Sequence, residues 1–346
     1  MTRMRFTGVI CVLSTAIVVA GCNTPNKRSL DLTLPSGAGA GNGTVSGSLT
    51  VYSGGPAVSG ATVRLGNSAS VSNTAGVFTL TGTPENGSAV VTASTPGFIF
   101  RGVAVALSPA RSGVQLDLIR DAAPFSFTFY RMLVRNAAEG AQLETIRRWT
   151  MNPSFYFQQL TVDTSTRVPD DIIQAMQDNI ARSIPELTGG QFSVAAFQKG
   201  DGPRDPAEGW VNVTFNRLIA GGFLGFSTVG GNTASITIRY DTTIPSNNST
   251  NPYGCSSIPV AVIDHEITHT MGFWHTDNTL VDTFSGPGCP GNGRPSHTVY
   301  HAGIAYARPI GNMDPDLDPV STAHVIASGG ASRPVVACDI ASFRRH

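Results

Sequence analysis

What this chain has little of narrows its function first. Charged residues fill only 13% of its 346 positions, against about 25% in an ordinary soluble domain. The 23 Lys+Arg balance 23 Asp+Glu and form no run, so the basic face that nucleic acid requires is missing. Cysteine is scarce too. Cys11 and Cys22 sit near the N-terminus, which leaves Cys255, Cys289 and Cys338. In an oxidising compartment that odd number implies one disulfide and one spare thiol, in any of the three pairings. Residues 8–19 form the one apolar run near the length of a membrane span, and it is too short and too terminal for a stable one. What is plentiful is apolar surface and turns. At 41% hydrophobic the chain is not disordered, and 38 Gly with 22 Pro predict strands and loops more than long helices. The length allows about two domains.

Arg3 and Arg5 precede the apolar run, and Val19-Ala20-Gly21 places small residues before Cys22. This is the shape of an export signal. Its ending resembles a bacterial lipobox, which implies removal of residues 1–21 and a lipid on Cys22 as the sole membrane attachment. Asn23 follows the cysteine, which points to the outer membrane or cell surface. Residues 22–43 include PSGAGAGNG, have no apolar periodicity and read as a flexible tether.

A different texture begins at Thr44. Short apolar and β-branched runs at 45–51, 61–65, 77–80, 89–93, 103–107 and 114–118 alternate with Gly/Asn/Pro turns, the spacing of a small antiparallel sandwich. Gly60-Ala61-Thr62-Val63 and Thr74-Ala75-Gly76-Val77-Phe78 resemble the carboxypeptidase-regulatory-like β-sandwich over residues 44–118. Only Arg64, Glu85, Arg101, Arg111 and Asp117 are charged there. No acid–base or metal chemistry is expected of it, and the region reads as a spacer that cleavage would not need.

Past Phe125, residues 139–150 read as a short helix or turn and 153–160 as a strand. Ile172, Ile173, Met176, Ile180 and Ile184 recur at helical spacing, with Asp170 and Asp171 in the first turn and Gly189-Gly190 as the stop. Strands follow at 192–197, 210–215, 223–229 and 235–240, then a helix. The expected class is α+β.

That helix carries HEITHTMGFWH, residues 265–275. His265 and His269, four apart, project from one helical face and can take adjacent positions of a tetrahedral metal. Gly272 permits the positive φ that turns the chain and returns His275 as a third ligand. Three neutral nitrogens leave the fourth place of Zn²⁺ to water, whose pKa falls to about 7. Glu266 is placed to act as general base on it.

The pattern HExxHxxGxxH resembles the metzincin metallopeptidases, and Arg148-Trp149 with Pro153 and a Tyr/Phe strand looks most like a matrixin-type catalytic domain, over residues 123–346. The resemblance implies a zinc endopeptidase with His265, His269 and His275 as ligands and Glu266 as base. It also implies a supporting methionine turn. Spacing puts that turn near Leu280-Val281, which has no Met, so either Met313 or Val281 supports the site. In this family the edge strand, here 223–229, pairs with extended peptide.

Asp314, Asp316 and Asp318 could bind Ca²⁺, although an Asp-Pro turn chain explains them better. His297 and His301 lie on a helix capped by Ser296 and read as core packing. The expected protein is an exported, lipid-anchored monomer acting on proteins or peptides. The alternative is a surface peptide- or carbohydrate-binding lipoprotein with a non-catalytic zinc site.

Overall fold

Strands form where small and β-branched residues alternate with turns, and a computed structural model describes residues 43–83, 87–107, 112–217, 219, 225–241, 258–276, 294–320 and 335–338. The export signal, Cys22, the tether up to residue 42, Cys255, Val281 and Cys289 lie outside the described residues. None of the described helices is long and apolar enough to cross a membrane.

Seven strands make up the first region: β1 Gly43–Val51, β2 Thr62–Leu65, β3 Ser68–Val71, β4 Val77–Thr83, β5 Ser88–Ser94, β6 Arg101–Ala106 and β7 Val114–Leu118. They form two sheets, β4-β1-β7 and β3-β2-β5-β6. Both sheets feed one apolar cluster that includes Leu49, Val63, Leu80, Val91 and Leu116. One pairing departs from the antiparallel expectation, because β1 runs parallel to β7. Parallel neighbours need a long crossover, and the five strands between them supply it.

The second region contains α1 Phe127–Arg135, β8 Ser154–Gln158, α2 Asp170–Leu187, β9 Ala196–Gly200, β10 Trp210–Asn216, β11 Gly225–Thr228, β12 Thr233–Arg239, α3 Ile258–Thr270, α4 Ser296–Tyr306 and β13 Val335–Cys338. The chain is therefore mixed α+β. Its largest sheet runs β13-β11-β12-β10-β8-β9. The four strands from β12 to β9 are parallel, and β11 is antiparallel to both its neighbours. Val211, Val213 and Phe215 of β10 are fully buried while the residues between them are half-buried. The apolar stripe of α2 is buried as its spacing predicts, and acids in its first turn suit the helix dipole. α3 is different. Val262, Ile263, Glu266, Ile267, Thr268 and His269 are all buried, so this is a core helix covered on every side.

Several expectations shift. Residues 139–150 contain no helix. α1 lies just before them, capped by Ser126 Oγ and closed by Asn136 at φ 58. Its FTFYRMLVR sequence is rich in aromatic and β-branched residues, which lose side-chain freedom in a helix and hide the signal. The strand expected at 192–197 starts at Ala196, because Phe192 and Val194 pack against the core instead. Ser296 is the first residue of α4 and makes no side-chain cap there. Most consequential, β11 is not the sheet's edge. Gly225 to Thr228 pair antiparallel with Cys338 to Val335, so β13 takes that place.

The two regions are joined tightly. Gly102 N donates to Asp316 O, and Asp318 N donates to Gly102 O, both at 2.9 Å. Arg308 donates to Asp316 through Nε (2.9 Å) and to Asp117 through Nη1 (2.8 Å). Arg101 grips Asp318 at 2.7 and 2.9 Å, Asn312 donates to both Asp316 and Asp318, and Arg131 holds Asp314. The aspartates of the Asp-Pro run thus face guanidinium groups, and these contacts tie the first region to the second.

Candidate metal centre

Helical spacing places His265 and His269 on one face of α3, and the end of that helix delivers the third histidine. Phe273 N donates to Thr268 O (3.2 Å) and Gly272 N to His269 O (2.8 Å), the paired bonds of a left-handed helix stop. Gly272 has φ 106, and a Cβ there would lie 1.6 Å from Arg147 O. Glycine is required twice over, by its backbone angle and by the strand of chain passing beneath it. Trp149 Nε1 caps Thr270 O (2.9 Å) and Tyr306 Oη caps Met271 O (2.8 Å), so the last carbonyls of the helix are held by buried aromatics. On the other side Arg294 and Ser183 hold Asp264, one residue before the first histidine.

These supports bring the His265, His269 and His275 Nε2 atoms within 3.1–3.2 Å of one another, and together they form a group able to hold a metal ion. A tetrahedral zinc with Zn–N bonds of about 2.0–2.1 Å sets its nitrogens about 3.3–3.4 Å apart. The donor set fits on chemical grounds as well. His269 Nδ1 faces Phe273 O at 2.9 Å and His275 Nδ1 faces Glu139 Oε1 at 2.6 Å. Each of those acceptors calls for a proton on Nδ1, which leaves a lone pair on each Nε2. Burial, with the neighbouring histidines, holds the His265 and His269 pKa values well below 6.5. A proton is thus a poor occupant between these nitrogens, and a metal cation is a good one.

Glu266 is fully buried beside them. Ser227 Oγ on β11 donates to its Oε2 at 2.6 Å, while Oε1 has no hydrogen-bond partner among the described residues. A Cβ on Gly225 would stand 2.8 Å from that Oε1, so glycine lets β11 pass this close. Burial raises the Glu266 pKa to about 8, against the pull of the Ser227 hydrogen bond. His275 holds the Glu139 carboxyl below its ordinary range, despite partial burial.

The residues expected from sequence are thus together: three histidines, Glu266 and the Gly272 turn. Met313 is not with them in a buried support. It is 44% exposed and bridges to Leu317 beside the first region. His301 packs among Phe125, Phe129 and Tyr130, accepts from Ser126 N and donates to His297 O. Sequence reasoning missed Glu139, Ser227 and Arg147, which no local pattern links to the motif.

No family model and no curated protein matches the chain. Two solved structures of type II cohesin–X-dockerin complexes from Acetivibrio cellulolyticus resemble parts of it. The N-terminal interface mutant has 22% identity over 21% of this chain and 51% of its own, with a TM-score of 0.18. The C-terminal interface mutant has 15% identity over 36% and 81%, also with a TM-score of 0.18. The chain spans about half the length of the first, and similarity this low carries no argument about fold or function.

Proposed function

We propose that this chain is an exported, lipid-anchored zinc endopeptidase with a metzincin-like catalytic domain over 123–346 and a carboxypeptidase-regulatory-like sandwich over 44–118. The observation that carries the reading is three histidine Nε2 atoms, two from α3 and one from beyond its Gly272 turn, converging beside the buried Glu266. The eleven-residue motif and the antiparallel strand lying against its helix support it.

His265, His269 and His275 would hold zinc through Nε2. When bound, the metal supplies Lewis acidity and lowers the pKa of water. The Glu266 carboxylate takes the proton of the attacking water and delivers it to the leaving nitrogen. Ser227 pins Oε2 and leaves Oε1 for that transfer. A buried acid with a pKa near 8 would hold its proton at neutral pH; a dication close by restores the carboxylate.

One observation favours the second reading, a surface peptide- or carbohydrate-binding lipoprotein with non-catalytic zinc. β13 already lies on the side of β11 where an extended peptide would add to the sheet. Casein digestion with and without a chelator separates the two. Cleavage that stops on chelation and returns with zinc supports the peptidase. A zinc-loaded chain that leaves casein intact supports the binder.

A further inference from the structure

We propose that Glu139 anchors the third metal ligand from outside: its carboxylate fixes the ring of His275 and the tautomer that presents Nε2. The inference rests on the zinc reading above and adds a positioning residue to it.

His265 and His269 inherit their placement from α3, and His269 is further set by Phe273 O. His275 is not on that helix. It lies three residues beyond the left-handed Gly272, so helical spacing does not place its ring. Two holds replace the helix, and both come from the same stretch of chain. Trp274 N donates to Leu133 O of α1 at 2.8 Å, which ties the backbone next to the ligand. Asn136 then turns the chain out of α1, Gly140 N returns to Asn136 O, and Glu139 between them meets His275 Nδ1 at 2.6 Å.

The chemistry of that contact has a direction. A carboxylate only accepts, so the His275 proton stays on Nδ1 and the lone pair on Nε2 faces the other two nitrogens. A carboxylate behind a ligating imidazole also makes it a stronger base toward the metal, and losing such a partner typically costs about 10–100-fold in metal affinity. An ordinary surface ion pair would leave metal affinity untouched.

The test uses full-length chain competed for zinc against a chromophoric chelator. Glu139→Ala is expected to weaken zinc binding about 10–100-fold. Glu139→Gln, which can still accept but carries no charge, and Glu139→Asp, which keeps charge but shortens the reach, should fall between. Glu139 is 46% exposed, so these variants should melt with the wild type when metal-free. In a His275→Ala background, Glu139→Ala should cause no further loss, because the ring it acts through is gone. Glu139→Ala affinity within about twofold of wild type, far short of the expected loss, overturns the role. So does an equal loss with and without His275. A wild-type chain that takes up no zinc overturns the metal centre itself, and is told apart because the failure precedes any substitution.

Discussion

At the junction of the two regions, Arg101 and Arg308 face Asp117, Asp316 and Asp318, and opposite charges meet at each contact. At the end of α3, three imidazoles face one another, and like meets like. Both clusters are largely buried, with Asp117 and His275 half-buried, and both contain residue types that bind metals. In the first, each carboxylate already has a guanidinium or amide partner, so the cluster is a joint. In the second, three Nε2 atoms lie within 3.1–3.2 Å of one another, so the cluster is a group able to hold a metal ion. Burial and residue type do not separate a joint from a candidate metal centre; whether acids meet cations or donors meet one another does.

The largest effect should come from removing a member of the convergent set. His269→Ala is expected to lose zinc and cleavage together; metal analysis showing full occupancy would break the comparison on the site's side. Next, Arg308→Ala leaves the buried Asp316 without its main partner and frees the half-buried Asp117, and should destabilise the fold by about 3–5 kcal/mol in urea titration. A midpoint equal to wild type would show that the joint is not one. Deleting residues 44–118 removes Arg101 and Asp117 together, so a comparable loss is expected there, against the spacer reading.

His301 sharpens the contrast as a buried histidine whose ring nitrogens are both engaged. Burial lowers its pKa to about 4, so between pH 6.5 and 4 the unfolded chain binds a proton the folded chain refuses. Stability should fall as pH drops through that window, by about 3 kcal/mol at most. His301→Gln can still accept from Ser126 N, and should lose less; identical pH curves for the two would remove this term. The smallest effect concerns the sheet edge. Ending the chain before Val335 uncovers β11 and should raise turnover of short peptides several-fold. Unchanged turnover would mean that β13 does not stand in the substrate's way.

The grouping of His265, Glu266, His269 and His275 was legible because they and the Gly272 turn lie within eleven consecutive positions, where the helix and the turn after it decide who meets whom. α2 was legible for a similar reason, through Ile172, Met176, Ile180 and Ile184. The rest required the fold. Glu139 is 136 positions from His275, and Ser227 is 39 from Glu266. Arg101 lies 217 positions from Asp318, so the Asp-Pro run read as a turn chain while its guanidinium partners were hidden. β13 could not be placed on β11 by pattern either, since sheet neighbours are chosen by packing rather than by sequence spacing.

The central claim is that Glu266 does proton work at a centre whose metal the histidines hold without it. The direct measurement is zinc content and casein turnover on the same samples of wild type and Glu266→Gln. The account predicts equal zinc in both, with turnover down by about 10²–10⁴-fold in the variant. Equal zinc with equal turnover would contradict it.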